Sequence, residues 1–217
     1  MDHPAPFPLP RQMPARQRRE LTADFVVHVL GLGLGAVAAM TLLVLAALRG
    51  GLLPAAVYVA GLAAMLGCSA AYHLRRASRW RPLLRRLDHA AIFVMIAGSY
   101  TPFTVQLAGP WSVALTAAVW ALAALGVAAK LAAPRHVEKL SVALYLGLGW
   151  IGIVALDPLL AALGPATLIL IAAGGVVYSL GVIFHLWRSL PFHNAIWHGF
   201  VLAAASVHYA AVLMTVA

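Results

Sequence analysis

Long apolar runs alternate along the chain with short segments rich in Arg, Gly and Pro. Each run is close to the roughly 20 residues that a helix needs to cross about 30 Å of hydrocarbon. Helices satisfy their own backbone hydrogen bonds, as a bilayer requires, and no strand-like alternation competes with this reading. The pattern predicts an all-α integral membrane protein with seven transmembrane helices, at residues 25–47, 52–74, 89–107, 111–131, 140–156, 165–186 and 195–216.

The composition supports a bilayer as the solvent of this chain. Of its 217 residues, 63% are hydrophobic and 10% are charged, against about 45–50% and about 25% in soluble domains. The net charge of +9 does not indicate nucleic-acid binding, because basic residues in a membrane protein mark its cytoplasmic loops. The single Cys68 excludes an internal disulfide and the cysteine-rich zinc motifs.

The basic residues also predict the orientation. Of 15 Lys and Arg residues, four lie in the N-terminal tail, six between the second and third runs, three between the fourth and fifth, and one between the sixth and seventh. These segments share one side of the membrane, and Arg49 alone falls on the other side. The positive-inside rule then places the N-terminus in the cytoplasm and the C-terminus outside.

The N-terminal 19 residues differ in composition from the rest. They contain five prolines, a density that is incompatible with a helix. Residues 1–19 are therefore predicted to form a disordered or extended cytoplasmic tail, and residues 20–217 the seven-helix domain.

Ionisable residues converge at the predicted cytoplasmic face. His73 ends the second helix, Asp88 begins the third, and His198 lies about one turn inside the seventh. Ionisable groups within membrane segments are functional candidates by default, although a lone membrane histidine often does no more than bond to a neighbouring helix. Together the three residues predict a metal site, whose ligands must be His, Asp, Asn or water.

Residue spacing adds neighbours to this site. Ser69 lies four residues before His73, and Asn194 four before His198, so each pair shares a helix face. His193 is five residues from His198, about 140° around a regular helix, and should point away.

Other ionisable residues have simpler interpretations. Glu20, Asp24 and His28 step by four along one face of the first helix, on the same side of the membrane. His208 lies about 15 Å deeper than His198 and is read as an interhelical hydrogen-bonding group. Four histidines near loops are expected to be solvated: His89, His136, His185 and His193.

Three segments resemble the bacterial hemolysin III family, which is related to the progestin and adipoQ receptors: Ser69 to His73, Leu87 to Phe103, and Asn194 to His198. The segment from Glu20 to His28 is similar to that family's opening motif. The resemblance implies seven helices in a bacterial inner membrane, an internal N-terminus and a zinc ion near the cytoplasmic face. It places zinc ligands on a Ser-x-x-x-His and a His-x-x-x-His pattern, with an aspartate that holds water at the zinc. The matching positions here are Ser69, His73, Asp88, Asn194 and His198.

Residue 194 departs from that pattern. The first histidine of His-x-x-x-His is Asn194 here, and His193 stands one residue early. Asn is a weaker ligand than imidazole for zinc. The site is then weaker, or Asp88 binds directly, or an irregular helix start lets His193 reach the metal, or another divalent metal is preferred.

The resemblance implies a zinc-dependent hydrolase that acts on a lipid amide or ester such as a ceramide-like substrate. His73, His198 and a third group such as Asn194 would hold the metal, while Asp88 and Ser69 would be catalytic. A pore or channel is the alternative that the family name implies, although no helix carries a polar stripe along its length. A membrane-state sensor is a further alternative, which the receptor relatives suggest.

Overall fold

A computed structural model describes residues 13–132 and 138–216 of the chain, of which no residue forms a strand. The described residues form seven long helical segments, the fifth of which is interrupted. The elements are α1 (Ala15–Arg49), α2 (Leu52–Leu74), α3 (Arg81–Thr104), α4 (Pro110–Ala132), α5 (Glu138–Gly149), a 3₁₀-helix (Ile151–Ala155), α6 (Leu156–Ala162), α7 (Pro165–Leu186) and α8 (His193–Val216).

The prediction of an all-helical membrane protein is confirmed. Among the described residues, six segments are long and apolar enough to cross a membrane: α1, α2, α4, Leu140–Ala162, α7 and α8. The outer surface is apolar, as a lipid-facing surface must be. On α1, for example, Val37, Met40 and Leu48 are 68%, 67% and 78% exposed.

The helix α3 packs against α2, α4 and α8, and most of its last half is buried. Its axis approaches α2 closely at two glycines. A Cβ on Gly61 would lie 3.2 Å from Met95 Cα, and one on Gly98 would lie 3.2 Å from the Val57 carbonyl oxygen. Small residues at such crossings are typical of membrane helices, because they let the backbones pack closely.

The fifth predicted helix is interrupted rather than continuous. It extends to Ala162, beyond the predicted end at residue 156, and a 3₁₀-helix separates α5 from α6. Pro158 lies in the first turn of α6, where its missing N–H costs nothing. The Tyr100 hydroxyl donates to the Gly149 carbonyl at 2.6 Å and accepts from the Gly152 N–H at 3.0 Å. Backbone groups released by the interruption are thus satisfied by α3.

The first helix begins earlier than predicted. It starts at Ala15, directly after the last proline of the tail, so residues 15–19 are helical rather than part of the tail. An Arg16–Glu20 ion pair at 3.0 Å spans its first turns. Residues 1–12 lie outside the described part of the chain. Asp24, in the N-terminal third of α1, contacts His73 near the end of α2 and His198 near the start of α8, so these helix ends lie side by side.

Candidate metal centre

Four ionisable side chains meet at one end of the bundle. Asp24 and His28 come from α1, His73 from α2 and His198 from α8, and one potential ligand atom of each lies within 4.8 Å of the others. The ring centroid of His198 is 4.4 Å from those of His28 and His73, which are 5.0 Å apart. This is the sole group of its kind among the described residues.

Asp24 contacts the Nδ1 atom of all three histidines. His198 Nδ1 donates to Asp24 Oδ1 at 2.7 Å, and His73 Nδ1 lies 3.2 Å from Asp24 Oδ2. His28 Nδ1 donates to the main-chain oxygen of Asp24 at 2.8 Å. A carbonyl oxygen can only accept, so His28 Nδ1 carries a proton, and in the neutral ring Nε2 then keeps a lone pair.

Ser69 and Asp88 lie near the Nε2 atoms of two of these histidines, on the side away from Asp24. The Ser69 hydroxyl donates to His28 Nε2 at 3.2 Å, a direction that follows from the His28 tautomer. Asp88 Oδ2 lies 3.9 Å from His73 Nε2. The cluster therefore has two sides, with Asp24 on the Nδ1 side and the Ser69 hydroxyl and Asp88 carboxylate on the Nε2 side.

Arg76, in the loop after α2, closes the Nδ1 side. Its Nη2 lies 3.6 Å from Asp24 Oδ2, and its Nε donates to the His73 carbonyl oxygen at 3.1 Å. Burial lowers the pKa of Arg76, and the Asp24 carboxylate opposes that shift. An arginine starts from so high a pKa that the guanidinium stays charged at neutral pH. It therefore compensates the charge of Asp24, whose side chain is 2% exposed.

The structure brings two of the five predicted site residues into the cluster. His73 and His198 belong to the cluster, and Ser69 and Asp88 border it. Asn194 is exposed in the first turn of α8, and its role as a ligand stays a prediction. His193 opens α8 after Phe192, whose φ of 61° is unusual for a residue with a side chain. The start of α8 is therefore irregular, as one of the alternatives requires. His193 nevertheless is not a member of the cluster.

Asp24 and His28 were not predicted as ligands. Their four-residue spacing and their side of the membrane were visible in the sequence, which is the signal that could have found them. What the sequence did not show is that α1 packs directly against α8. That contact places Asp24 beside His198.

The remaining histidines divide into two kinds. His208 Nε2 donates to the Ile171 carbonyl oxygen at 3.2 Å, which confirms its interhelical role. His89 and His185 are partly buried, and the Nδ1 of His193 is buried without a hydrogen-bond partner among the described residues. These three side chains are therefore less exposed to solvent than the sequence predicts. His136 lies outside the described residues.

The residues present fit a divalent metal ion. Three imidazoles with nearby carboxylates form a donor set typical of zinc and other first-row metals. Catalytic zinc sites in particular use three protein ligands and leave one position open.

Fold and site together define a helical membrane protein with a candidate metal centre at one end of its bundle. The sequence matches the model of the family described as haemolysin-III related over residues 17–209. The chain belongs to this family.

Individual relatives extend from bacteria to mammals. The chain is 34% identical over 199 residues to a hemolysin-3 homolog of Bacillus subtilis, covering 90% of this chain and 93% of that protein. It is 44% identical over 131 residues to hemolysin-3 of Bacillus cereus, or 60% of each chain. It is 30% identical over 165 residues to the human monocyte to macrophage differentiation factor, covering 72% of this chain and 67% of that protein.

Proposed function

We propose that this protein is a metal-dependent hydrolase of the membrane, and that its cluster of Asp24, His28, His73 and His198 serves one divalent ion, preferably zinc. The observation that carries the proposal is the approach of four potential ligand atoms to within 4.8 Å of one another. An ionisable cluster in a membrane helix bundle is costly, and such clusters are retained for function.

The chemistry divides between the metal and the side chains around it. When bound, zinc acts as a Lewis acid and lowers the pKa of a water molecule at its open position. The Asp88 carboxylate, on the Nε2 side, accepts a proton from the attacking water and returns it to the leaving group. The Ser69 hydroxyl orients that water. Asn194, which is exposed at the start of α8, is the alternative to His28 as the third ligand position, and its substitution tests that alternative.

The substrate we propose is a membrane lipid with an amide or ester bond, such as a ceramide-like molecule. Exposure of the cluster supports access from one side, because the side chains of His73 and Asp88 are 14% and 12% exposed and that of Asp24 is 2% exposed. A lipid whose polar group lies at the membrane surface can reach a site at the end of the bundle without crossing the bilayer.

We further propose seven crossings of a bacterial plasma membrane, with the N-terminus in the cytoplasm and the C-terminus outside. The support is the sequence, in which the positive charges cluster on alternate loops. The helix α3 would be the third crossing along the chain and would add to the six apolar segments, although Arg81, Arg85 and Arg86 make its beginning polar. The metal centre would then face the cytoplasm, where the α2–α3 loop lies.

Turnover by purified protein tests the proposed hydrolase. Zinc-loaded wild type in lipid nanodiscs should release fatty acid from a ceramide-like substrate. Asp88→Asn should lose at least about 100-fold in rate, the usual size of a general acid–base contribution, while it keeps its metal. Equal turnover by wild type, Asp88→Asn and the chelator-treated protein would contradict the proposal.

A pore is the second candidate, because the two Bacillus relatives carry the name hemolysin-3. Liposomes that contain the purified protein and an ion-sensitive dye distinguish the two. Ion flux that persists in His73→Ala would favour the pore, and absence of flux in wild type would favour the hydrolase.

A further inference from the structure

The hydrogen bonds around Asp24 determine which nitrogen atoms remain for a metal. His28, His73 and His198 each direct Nδ1 to Asp24, at 2.8, 3.2 and 2.7 Å. A metal bound through Nδ1 would have to displace these contacts. The Nε2 atoms of His28 and His73 face the other side, where the Ser69 hydroxyl and the Asp88 carboxylate lie.

We infer that Asp24 is a positioning residue, which fixes all three imidazoles as Nδ1–H tautomers and leaves their Nε2 atoms as the metal ligands. This inference rests on the proposed metal centre. A metal-ligating histidine commonly donates its second ring N–H to a carboxylate or carbonyl, which sets the tautomer and the ring orientation. Here one residue serves three histidines, two through its carboxylate and one through its main-chain oxygen.

The location of Asp24 on α1 explains why one residue can do this. Its side chain reaches His73 on α2 and His198 on α8, because α1 packs against both helices. His28 lies one turn further along α1, so its ring can return to the main chain at position 24. The distance from His28 Nδ1 to Asp24 Oδ1 is 3.7 Å, longer than the 2.8 Å to the main-chain oxygen.

Asp24→Asn separates positioning from direct ligation. The amide oxygen of Asn accepts one N–H, but its NH₂ group presents a donor to the second imidazole. That imidazole must move its proton to Nε2 or lose the contact, and either change weakens its metal bond. Metal affinity should fall about 10–100-fold, the range typical for loss of an outer-shell partner.

Glu20→Gln is the matched control for this substitution. It makes the same chemical change one turn earlier on α1, at a carboxylate that pairs with Arg16. This variant should bind metal as the wild type does.

Spectroscopy of the wild type decides the matter even if Asp24→Asn does not fold. Nitrogen-15 spectra of histidine-labelled, zinc-loaded protein should show three histidines protonated at Nδ1 and bound through Nε2. X-ray absorption should show imidazole ligands, and Asp24→Asn should not remove an oxygen neighbour from the metal. Ligation through Nδ1, loss of an oxygen ligand in Asp24→Asn, or unchanged affinity in that variant would each overturn the inference.

Failure of the proposed metal centre would give a different experimental result from failure of the positioning role of Asp24. A wild type that binds no metal would remove the metal centre, whereas the same nitrogen-15 spectra of metal-free protein would still report the three Nδ1–H tautomers. A wild type that binds metal through Nδ1 would keep the metal centre and remove the positioning role of Asp24.

Discussion

His198 Nδ1 lies 2.7 Å from Asp24 Oδ1, although 174 positions separate the two residues in the chain. This contact joins the first helix to the last, so the candidate metal centre is complete only when the bundle has closed. Metal binding should for that reason stabilise the whole fold, because a ligand that binds the native state alone shifts the unfolding equilibrium by mass action.

His28 and Asn194 compete for the role of third ligand. The structure brings the His28 ring into the cluster and leaves Asn194 exposed. Loss of a residue that only orients a ligand typically weakens metal binding about 10–100-fold, and His28→Ala should weaken zinc binding by more than that. Asn194→Ala and Asn194→His should change zinc binding little. Competition titrations with a zinc chelator measure all three. Loss of metal in Asn194→Ala, or much tighter binding in Asn194→His, would instead identify residue 194 as a ligand position.

Metal binding should depend on pH in a defined direction. Imidazole ligands must be neutral, so protons compete with the metal below the usual histidine pKa of about 6.5. The rise in melting temperature that zinc produces should therefore be full above that pH and decrease as the pH falls through it. Thermal unfolding in detergent with and without zinc, from pH 8 to pH 5, measures this effect. A zinc-induced rise that stays constant over the whole range would contradict the expected competition between protons and zinc.

The orientation of the chain can be tested with reporters fused to its ends. A C-terminal reporter that is active only in the periplasm should be active, and the same reporter at the N-terminus should not. The reason is the concentration of basic residues on the N-terminal side of the membrane. Activity of a cytoplasm-only reporter at the C-terminus would contradict seven crossings.

The close approach of α2 and α3 predicts a large effect on stability. Gly61→Val would place side-chain atoms against the backbone at Met95, where a Cβ alone would lie 3.2 Å from Cα. Overpacking of this kind typically costs about 1–3 kcal/mol. Gly67→Val in the same helix is the control, since nothing lies within 4 Å of a Cβ there. Equal denaturation midpoints for the two variants would show that the helices do not cross as described.

The sequence predicts the helices better than it predicts their contacts. Apolar run lengths identify the membrane segments because the bilayer thickness determines them, and helix alternation alone brings His73, Asp88 and His198 to one end. The inclusion of Asp24 and His28 depends on α1 packing against α8, and run length carries no information about that contact. The interruption between α5 and α6 was missed for a similar reason, since the Tyr100 hydroxyl that stabilises it comes from another helix.

The metal content of the purified protein tests the central claim most directly. Plasma mass spectrometry on wild type should find about one divalent ion per chain, and on His73→Ala and His198→Ala little or none. His208→Gln is the control, because His208 donates to the Ile171 carbonyl oxygen outside the cluster and Gln can still donate there. One ion per chain in wild type and the control, lost in the two cluster variants, is the predicted result. Metal content that is equal in all four proteins, or absent from wild type after zinc loading, would contradict it.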